Sequence, residues 1–454
     1  MSVIYSIELS AKAWNTVILP SRFQHQNLSH LAFGTLNVPC QFTFEPSLKQ
    51  TIILSEDLIK ELKIPYLGKT HLIFSEDTLY LGPLVGIFTA GFTQSLLRPV
   101  GERSLLFAKL MAMDSSTGGF VFLFGAHHID WDLGKISGYI YREGGWKKVV
   151  VPFPNVVYDR LPNRKTENHT AIKRVKERLQ KDYSIPWFNP GFFNKWDIHQ
   201  LLSKDESVNR YLPETHLSPT YDQIEQMLAT YKSVYLKPAN GSLGLGVFKL
   251  IYSREEEVYY SRHRDDNHQN RLRKYSSLEH FFKHSFKNRK LEDYLIQQGI
   301  RLLRINNNQP VDFRLHANKN QDGQWKIAAL AGKVAGKGSV TTHLKSGGTV
   351  KTLDEIFEDQ RDRLSAMDRL TKAAILLSEA IDSHVDGYIG EIGFDLGIDL
   401  NGQVWIFEAN SKPGRSIFSH PQLKNEDHLT KKLSLEYALY LTEKTIKSPE
   451  EMWQ

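Results

Sequence analysis

The chain has 454 residues, of which 41% are hydrophobic, 11% aromatic and 24% charged, with 57 basic and 51 acidic side chains for a net charge of +6. At roughly 150 residues per domain this allows about three folded units with sizeable cores and excludes a mini-protein that needs covalent staples. A single cysteine, Cys40, excludes an internal disulfide and any multi-cysteine zinc site, and the mild basic excess suits a nucleic acid or a small polyanion.

The N-terminal stretch MSVIYSIELSAKAW has no basic segment leading into an apolar core and no small-residue cleavage site. The most apolar run, residues 84–92, is far below the ~18 residues of a membrane span, so a cytoplasmic protein without a span is expected. Residues 1–92 read as a β-rich unit, with short strands, turn signals and one helix-like segment, SEDLIKELKI. Residues 93–165 read as an α/β unit. There SLLFAKLMAMDSS has helical spacing, GGFVFLFGAHHIDWD is a buried-strand run, and KISGYIYREGGWKKVVVPFP reads as a hairpin turning at Glu143-Gly144. The polar LPNRKTENH then reads as a linker.

Residues 190–454 hold most of the informative spacing, beginning with SVYLKPANGSLGLGVFKLI. Here glycines join strand to strand, so neither a Rossmann fingerprint nor a Walker loop fits. Two readings stay open: a ligand-free hairpin loop, or a flap whose backbone N–H groups approach phosphates, with Lys237 beside it as a point charge. The flap subdomain covers about residues 233–300, and within it residues 261–290 interleave basic and aromatic side chains. They read as an exposed helical insertion with a solvated charged face and Phe281, Phe282 and Phe286 on its buried side; a nucleic-acid footprint is the disfavoured alternative.

The remaining lobe, about residues 301–454, carries two more hairpins. In VDFRLHANKNQDGQWKIAALAGK a two-residue Asp322-Gly323 turn pairs Arg314 with Ala331 and Asp312 with Lys333. Phe313, Leu315 and Ala317 then share an apolar face, opposite Asp312, Arg314 and His316. This is either an outward polar strand or an Arg pre-organised for a phosphate or carboxylate. In YIGEIGFDLGIDLNGQVWIFEANSKPG the Asn401-Gly402 turn sets Leu400 opposite Gln403 and Asp395 opposite Glu408, with Asn410 on the same face and Phe394, Leu396 and Phe407 in the core. Facing carboxylates repel unless a cation lies between them. Asp395, Glu408 and Asn410 are therefore candidate ligands for Mg²⁺ or Mn²⁺, the alternative being two carboxylates that meet solvent separately. Between these hairpins the helix RDRLSAMDRLTKAAILLSEAI packs through Leu364, Met367, Leu370, Ala374 and Leu377.

In this order, a Lys before a glycine flap, Asp-x-Arg on a strand, then Asp…Glu-x-Asn-x-x-Pro-Gly resembles the ATP-grasp superfamily. GPLVGIF, PFPNVVYDRLPNR, FNKWDIHQLL, LKPANGSLGLGV and IGFDLGIDLNGQVWIFEANSKPGRS resemble, more narrowly, the endospore coat-associated YheC/YheD-like family. The resemblance implies an ATP-grasp fold of the α/β (α+β) class behind a Rossmann-like pre-ATP-grasp unit and the β-rich unit. It implies ATP with Mg²⁺ or Mn²⁺, Lys195 and Lys237 on the phosphates, and a flap including Gly241, Ser242, Gly244 and Gly246. Gln297, Gln298 and Ile300 would frame the adenine on a hinge strand, largely through backbone groups. Asp395, Glu408 and Asn410 would hold the metal. Arg314 would stabilise the transferring phosphoryl group, and Arg415, with Lys412, would receive a carboxylate or phosphate. Lys333 reads only as the ion-pair partner of Asp312. Where many relatives carry Asn, this chain has His343 before Gly347-Gly348, which leaves substrate contacts there open. The activity implied is ligation of a carboxylate to an amine through an acyl phosphate, on a peptide or cell-envelope component, with spore association. The opposing reading is a structural spore-coat protein that binds ATP without turnover.

Overall fold

The computed structural model describes residues 3–11, 13–239, 246–265, 267, 269–287, 289–305, 308–336, 338–342 and 347–452. An eight-stranded mixed sheet occupies the N-terminal region, from the strand Tyr5–Ser10 to the strand Thr78–Gly82. The next strand, Leu84–Phe88, read in sequence with this unit, instead sits inside the second sheet. There it pairs in parallel with Phe120–Phe124 and with Val156–Asp159, which in turn pairs in parallel with Trp187–Phe188. All five residues of Leu84–Phe88 are buried, as a parallel strand covered on both faces requires. The hairpin Lys135–Arg142 with Gly145–Pro152 turns at Glu143-Gly144 as read, both at positive φ. The stretch read as a linker is structured: it carries the helix Arg164–Glu167 and leads directly into the helix Thr170–Lys181.

Two further sheets follow. A six-stranded sheet runs in the order Thr215–Leu217, Tyr294–Gln298, Ser233–Pro238, Phe248–Ser253, Val258–Arg264, Asn270–Tyr275. The basic segment thus carries the end of one strand, all of a second and a seven-residue helix, Leu278–His284, rather than the helical insertion read from its sequence. Alternation places Ser261, His263 and Tyr275 inward while Arg271, Leu272, Arg273 and Lys274 are exposed. Phe281 and Phe286 are buried and Phe282 packs beside them, as their spacing indicated.

The last sheet centres on Gln309–Lys319, between Trp325–Val334 and Glu391–Ile398, with Val404–Asn410 beyond the latter. The helix Gln360–His384 packs on it through Ala366, Leu370, Ala373, Ala374, Leu377 and Ile381. Leu364 and Met367, expected on the packed face, are 48% and 42% exposed, because the small-residue stripe one step round the helix lets it approach the sheet more closely. The C-terminal helix Lys424–Lys447 joins the core of the second sheet through Leu435, Tyr437, Ala438 and Leu441.

Candidate functional site

Both hairpins of the last sheet have loops one residue longer than a two-residue turn, beginning one residue earlier. Asn320 N–H donates to Gln324, and Asp399 N–H to Gln403, so each loop has three residues, ending at Gly323 and Gly402 with φ of 72° and 82°. Leu400 therefore does not face Gln403; Asp399 does. A β-bulge then restores the register in each ladder, one between His316 and Ala317, the other between Asp395 and Leu396. Beyond the bulges Asp312 faces Lys333, Arg314 faces Ala331, and Asp395 faces Glu408, as the sequence indicated. The second bulge also moves Phe407 out of the core: Val404, Ile406 and Ala409 are buried while Phe407, half-buried, lines a cleft with Glu408.

That cleft lies between the two sheets. Lys195, Tyr235, Lys237, Lys249, Gln297, Gln298, Ile300, Asp312, Lys333, Asp395 and Glu408 all line it. Lys195 opens the helix Lys195–Ser203, whose preceding Asn194 side chain accepts from Trp196 N–H at 2.8 Å. Its Nζ lies 3.8 Å from Glu408 Oε1. Lys237 donates to Gln297 Oε1 at 2.5 Å, and Gln297 Nε2 donates to Thr215 Oγ1 at 3.1 Å. Burial, with the charge of Lys195, pulls the Lys237 ammonium down to about 8 against Glu408, Asp312 and Asp395.

Asp395 is the electrostatic hub. Arg314 Nε and Lys333 Nζ both reach its Oδ1 at 2.9 Å, and Arg314 Nη2 reaches Oδ2 at 3.1 Å. Lys333 also lies 3.2 Å from Asp312, so it bridges both carboxylates rather than serving Asp312 alone. Burial opposes the charge of Lys333, yet Asp312 and Asp395 together hold its pKa above the ordinary lysine value. Gly393 makes room for this cluster, since a Cβ there would lie 2.9 Å from Arg314 Nη1 and 2.4 Å from Pro413 Cβ.

A family model described as YheC/D-like ATP-grasp matches residues 184–441. The chain is 48% identical over 449 residues to the endospore coat-associated protein YheD of Bacillus subtilis (strain 168), covering 99% of this chain and 98% of that protein. It is 28% identical over 284 residues to the endospore coat-associated protein YheC of the same organism, covering 62% and 76% respectively. The chain belongs to the YheC/YheD-like ATP-grasp family. Its fold is accordingly that of ATP-grasp proteins, with the two sheets described above on either side of the cleft. A solved structure, the VanG D-Ala:D-Ser ligase from Enterococcus faecalis, matches with a TM-score of 0.44 at 13% identity over 79% of this chain and 99% of that one.

Within this YheC/YheD-like chain the candidate residues divide. Lys195, Lys237, Gln297, Gln298, Ile300, Asp395 and Glu408 share the cleft. Arg314 reaches it through Asp395, and Asn410 pairs with Gly393 without lining it. Gly246 has a φ of 71°, while Gly241, Ser242, Gly244 and His343 lie outside the described residues. Past the strand Tyr294–Gln298, the N–H of Gln298 donates to the Glu214 carbonyl and that of Gly299 to the Ser233 carbonyl, and Ile300 follows at the cleft. Arg415 is held elsewhere: it binds Asp427 at 2.7 Å and Thr430 on the C-terminal helix. Lys412 likewise points away, pairing with Asp159 at 2.7 Å and Glu167 at 3.3 Å. The sequence reading also missed Lys249 and Tyr235, although their alternation with buried Leu250 and Leu236 places both on the open face.

The donor set fits a hard divalent cation. Asp395 and Glu408 supply carboxylate oxygens from directly opposed positions, although among the described residues no group of three or more His, Cys, Asp or Glu is arranged as a complete cage. Two protein carboxylates with the other ligands taken from water and phosphate is how Mg²⁺ is ordinarily bound. Around them stand the cations Lys195, Lys237, Arg314 and Lys333 against Asp312, Asp395 and Glu408, an excess that a polyphosphate would satisfy.

Proposed function

We propose that this protein is an ATP- and Mg²⁺-dependent carboxylate–amine ligase acting on a peptide or cell-envelope component of the spore. The observation that carries the reading is the meeting, in one cleft, of two facing carboxylates, four cations and a hinge strand. Lys195 and Lys237 bind the nucleotide phosphates, and Ile300 meets the adenine. Asp395 and Glu408, with Asn410 beside them, hold the metal, which when bound neutralises phosphate charge and polarises the γ-phosphoryl oxygens. A substrate carboxylate oxygen attacks the γ-phosphorus, the bond to the β-bridging oxygen breaks, and ADP leaves. An amine nitrogen then attacks the acyl carbon, inorganic phosphate departs, and the amine proton passes to solvent. Arg314, in contact with Asp395, stabilises charge on the phosphoryl group, so the chain acts by positioning and charge rather than by a covalent nucleophile.

Hydroxylamine traps acyl phosphates as hydroxamates. With ATP, Mg²⁺ and pooled amino acids, peptides and cell-wall precursors, the protein is expected to form hydroxamate and ADP in equal amounts. ATP binding with neither product would instead favour a coat protein that binds nucleotide without turnover, a reading supported by the prior neutralisation of Asp395 by Arg314 and Lys333.

A pH dependence follows from Lys237. Its ammonium is charged below about pH 8 and loses the proton above it, so phosphate affinity falls as pH rises through that value. The Kd for Mg·ADP is expected to be flat below pH ~7 and to rise above ~8, and Lys237→Met should remove the inflection. A parent profile without an inflection would count against a phosphate contact by Lys237.

A further inference from the structure

The cleft face of the six-stranded sheet carries a row of directly paired residues that runs out of the cleft: Gln297 with Tyr235, Tyr235 with Lys249, Lys249 with Arg262, and Arg262 with Leu272. The adjoining row, Ile296, Leu236, Phe248 and His263, points into the core, so the first row shares the opposite face. Lys249 and Arg262 are thus two cations opposed across a ladder, which is unfavourable unless an anion lies over them. Among the described residues neither has a carboxylate partner; Lys249 only overlies the Tyr235 ring at 5.3 Å, whereas the nearby Lys274 is satisfied by Glu256. The row ends at Leu272, 57% exposed, on the strand Asn270–Tyr275 at the edge of the sheet. Asp265 N–H donates to Gln269, so in this antiparallel ladder the hydrogen-bonded pairs are those in step with it. Leu272 and Lys274 fall between them and turn their backbone N–H and C=O groups outward.

From this we infer that the edge strand and its basic row form the docking site for the ligase's acid substrate, an extended acidic polypeptide. The peptide pairs its main chain with Leu272 and Lys274 as an added strand, and its carboxylates meet Arg262 and Lys249. From edge to cleft is three strand spacings, about 14 Å, which four or five extended residues cross, so the activated carboxylate lies that far from the docked segment. A nucleic acid would use the cations but has no use for the outward carbonyls of the edge strand. The peptide's role as the acid substrate rests on the ligase reading, whereas its binding does not.

The test uses the full chain and a fluorescent Glu-rich dodecapeptide, with a Gln-for-Glu counterpart and a single-stranded oligonucleotide of equal charge as comparisons. Fluorescence anisotropy is expected to show binding of the Glu peptide, at least tenfold weaker for the Gln peptide and for Arg262→Glu. Leu272→Pro, which removes only an outward N–H and which an edge strand tolerates, should weaken it severalfold. Arg262→Gln provides a milder variant if Arg262→Glu fails to fold. Mg·ATP affinity, measured separately, should be unchanged in the variants, so loss of ATP binding by the parent would fail the ligase reading while leaving the docking result intact. The inference is overturned if Glu and Gln peptides bind alike, if the variants bind like the parent, or if the oligonucleotide binds more tightly and Leu272→Pro leaves that binding unaltered.

Discussion

Glu408→Gln is expected to reduce Mg²⁺-dependent ADP production by roughly 10²–10³-fold while changing stability by no more than about 1 kcal/mol. The asymmetry comes from its surroundings. The Glu408 side chain is 30% exposed, and its one ion-pair neighbour among the described residues, Lys195, is 3.8 Å away, a separation at which a partly solvated pair contributes little. Gln preserves shape and removes the charge that a cation would need. Asp395 offers the contrast: it is 13% exposed and binds both Arg314 and Lys333, so Asp395→Ala would take its carboxylate from the buried Arg314 and leave Lys333 with Asp312 alone, at about 3–5 kcal/mol. Loss of turnover in a destabilised Asp395 variant says little, whereas loss in a stable Glu408 variant identifies the carboxylate as a participant. ADP release and a thermal melt on the same preparation decide it. A Glu408→Gln protein that turns over at the parent rate would remove Glu408 from the proposed metal site.

The pairing of Asp395 with Glu408 was legible for a reason only the structure makes plain. An Asn-Gly signal marks where a hairpin turns but does not distinguish a two-residue loop from a three-residue loop closed by glycine in the left-handed region. The longer loop shifts the register by one, which would set Glu408 opposite Phe394 and turn the carboxylate toward the core. The bulge at Phe407 cancels the shift, because the strand must bury Val404, Ile406 and Ala409 and still present Glu408 to the cleft. The same compensation at Ala328 keeps Lys333 opposite Asp312 instead of facing the buried Val311. Near each turn the register is one residue off, and at the site it is right.

Other residues were misread where tertiary contacts decide the matter. Arg415 and Lys412 lie a few residues after Glu408, and nearness in sequence suggested nearness to the metal. Their side chains answer to carboxylates distant in sequence, on the C-terminal helix and the second sheet. His316 shows the same limit. Alternation places it beside Arg314, yet it is fully buried against Phe418, and burial, with Arg415, Arg314 and Arg160, holds its imidazole neutral far below the ordinary range. The basic segment was misassigned as helix because its strands alternate charge with Ser261 and His263 rather than with aliphatic residues.

Lys412→Met is expected to be the most destabilising single change outside the cleft, at about 3–5 kcal/mol. Lys412 is 3% exposed and Asp159 1%, and their 2.7 Å contact joins the last sheet to the second unit. Asp159 otherwise accepts from Trp187 Nε1 at 3.0 Å and from Leu161 N–H at 3.0 Å, too little to hold a buried carboxylate without its cation. The seam continues where Arg160 and Tyr158 bind Glu391, and where Asn189 spans the backbones of Gly390, Glu391 and Ser411. Glu391 and Ser411 begin and follow the two strands that carry Asp395 and Glu408, so this seam anchors the floor of the cleft. If the charge pair rather than packing carries the cost, Asp159→Asn combined with Lys412→Met should melt well above Lys412→Met alone, with a coupling of at least ~2 kcal/mol. Urea melts of the parent, both single variants and the double variant provide the comparison. Additive single effects, or a Lys412→Met protein as stable as the parent, would leave Glu391 with Arg160 as the ionic link that holds the second unit against the cleft.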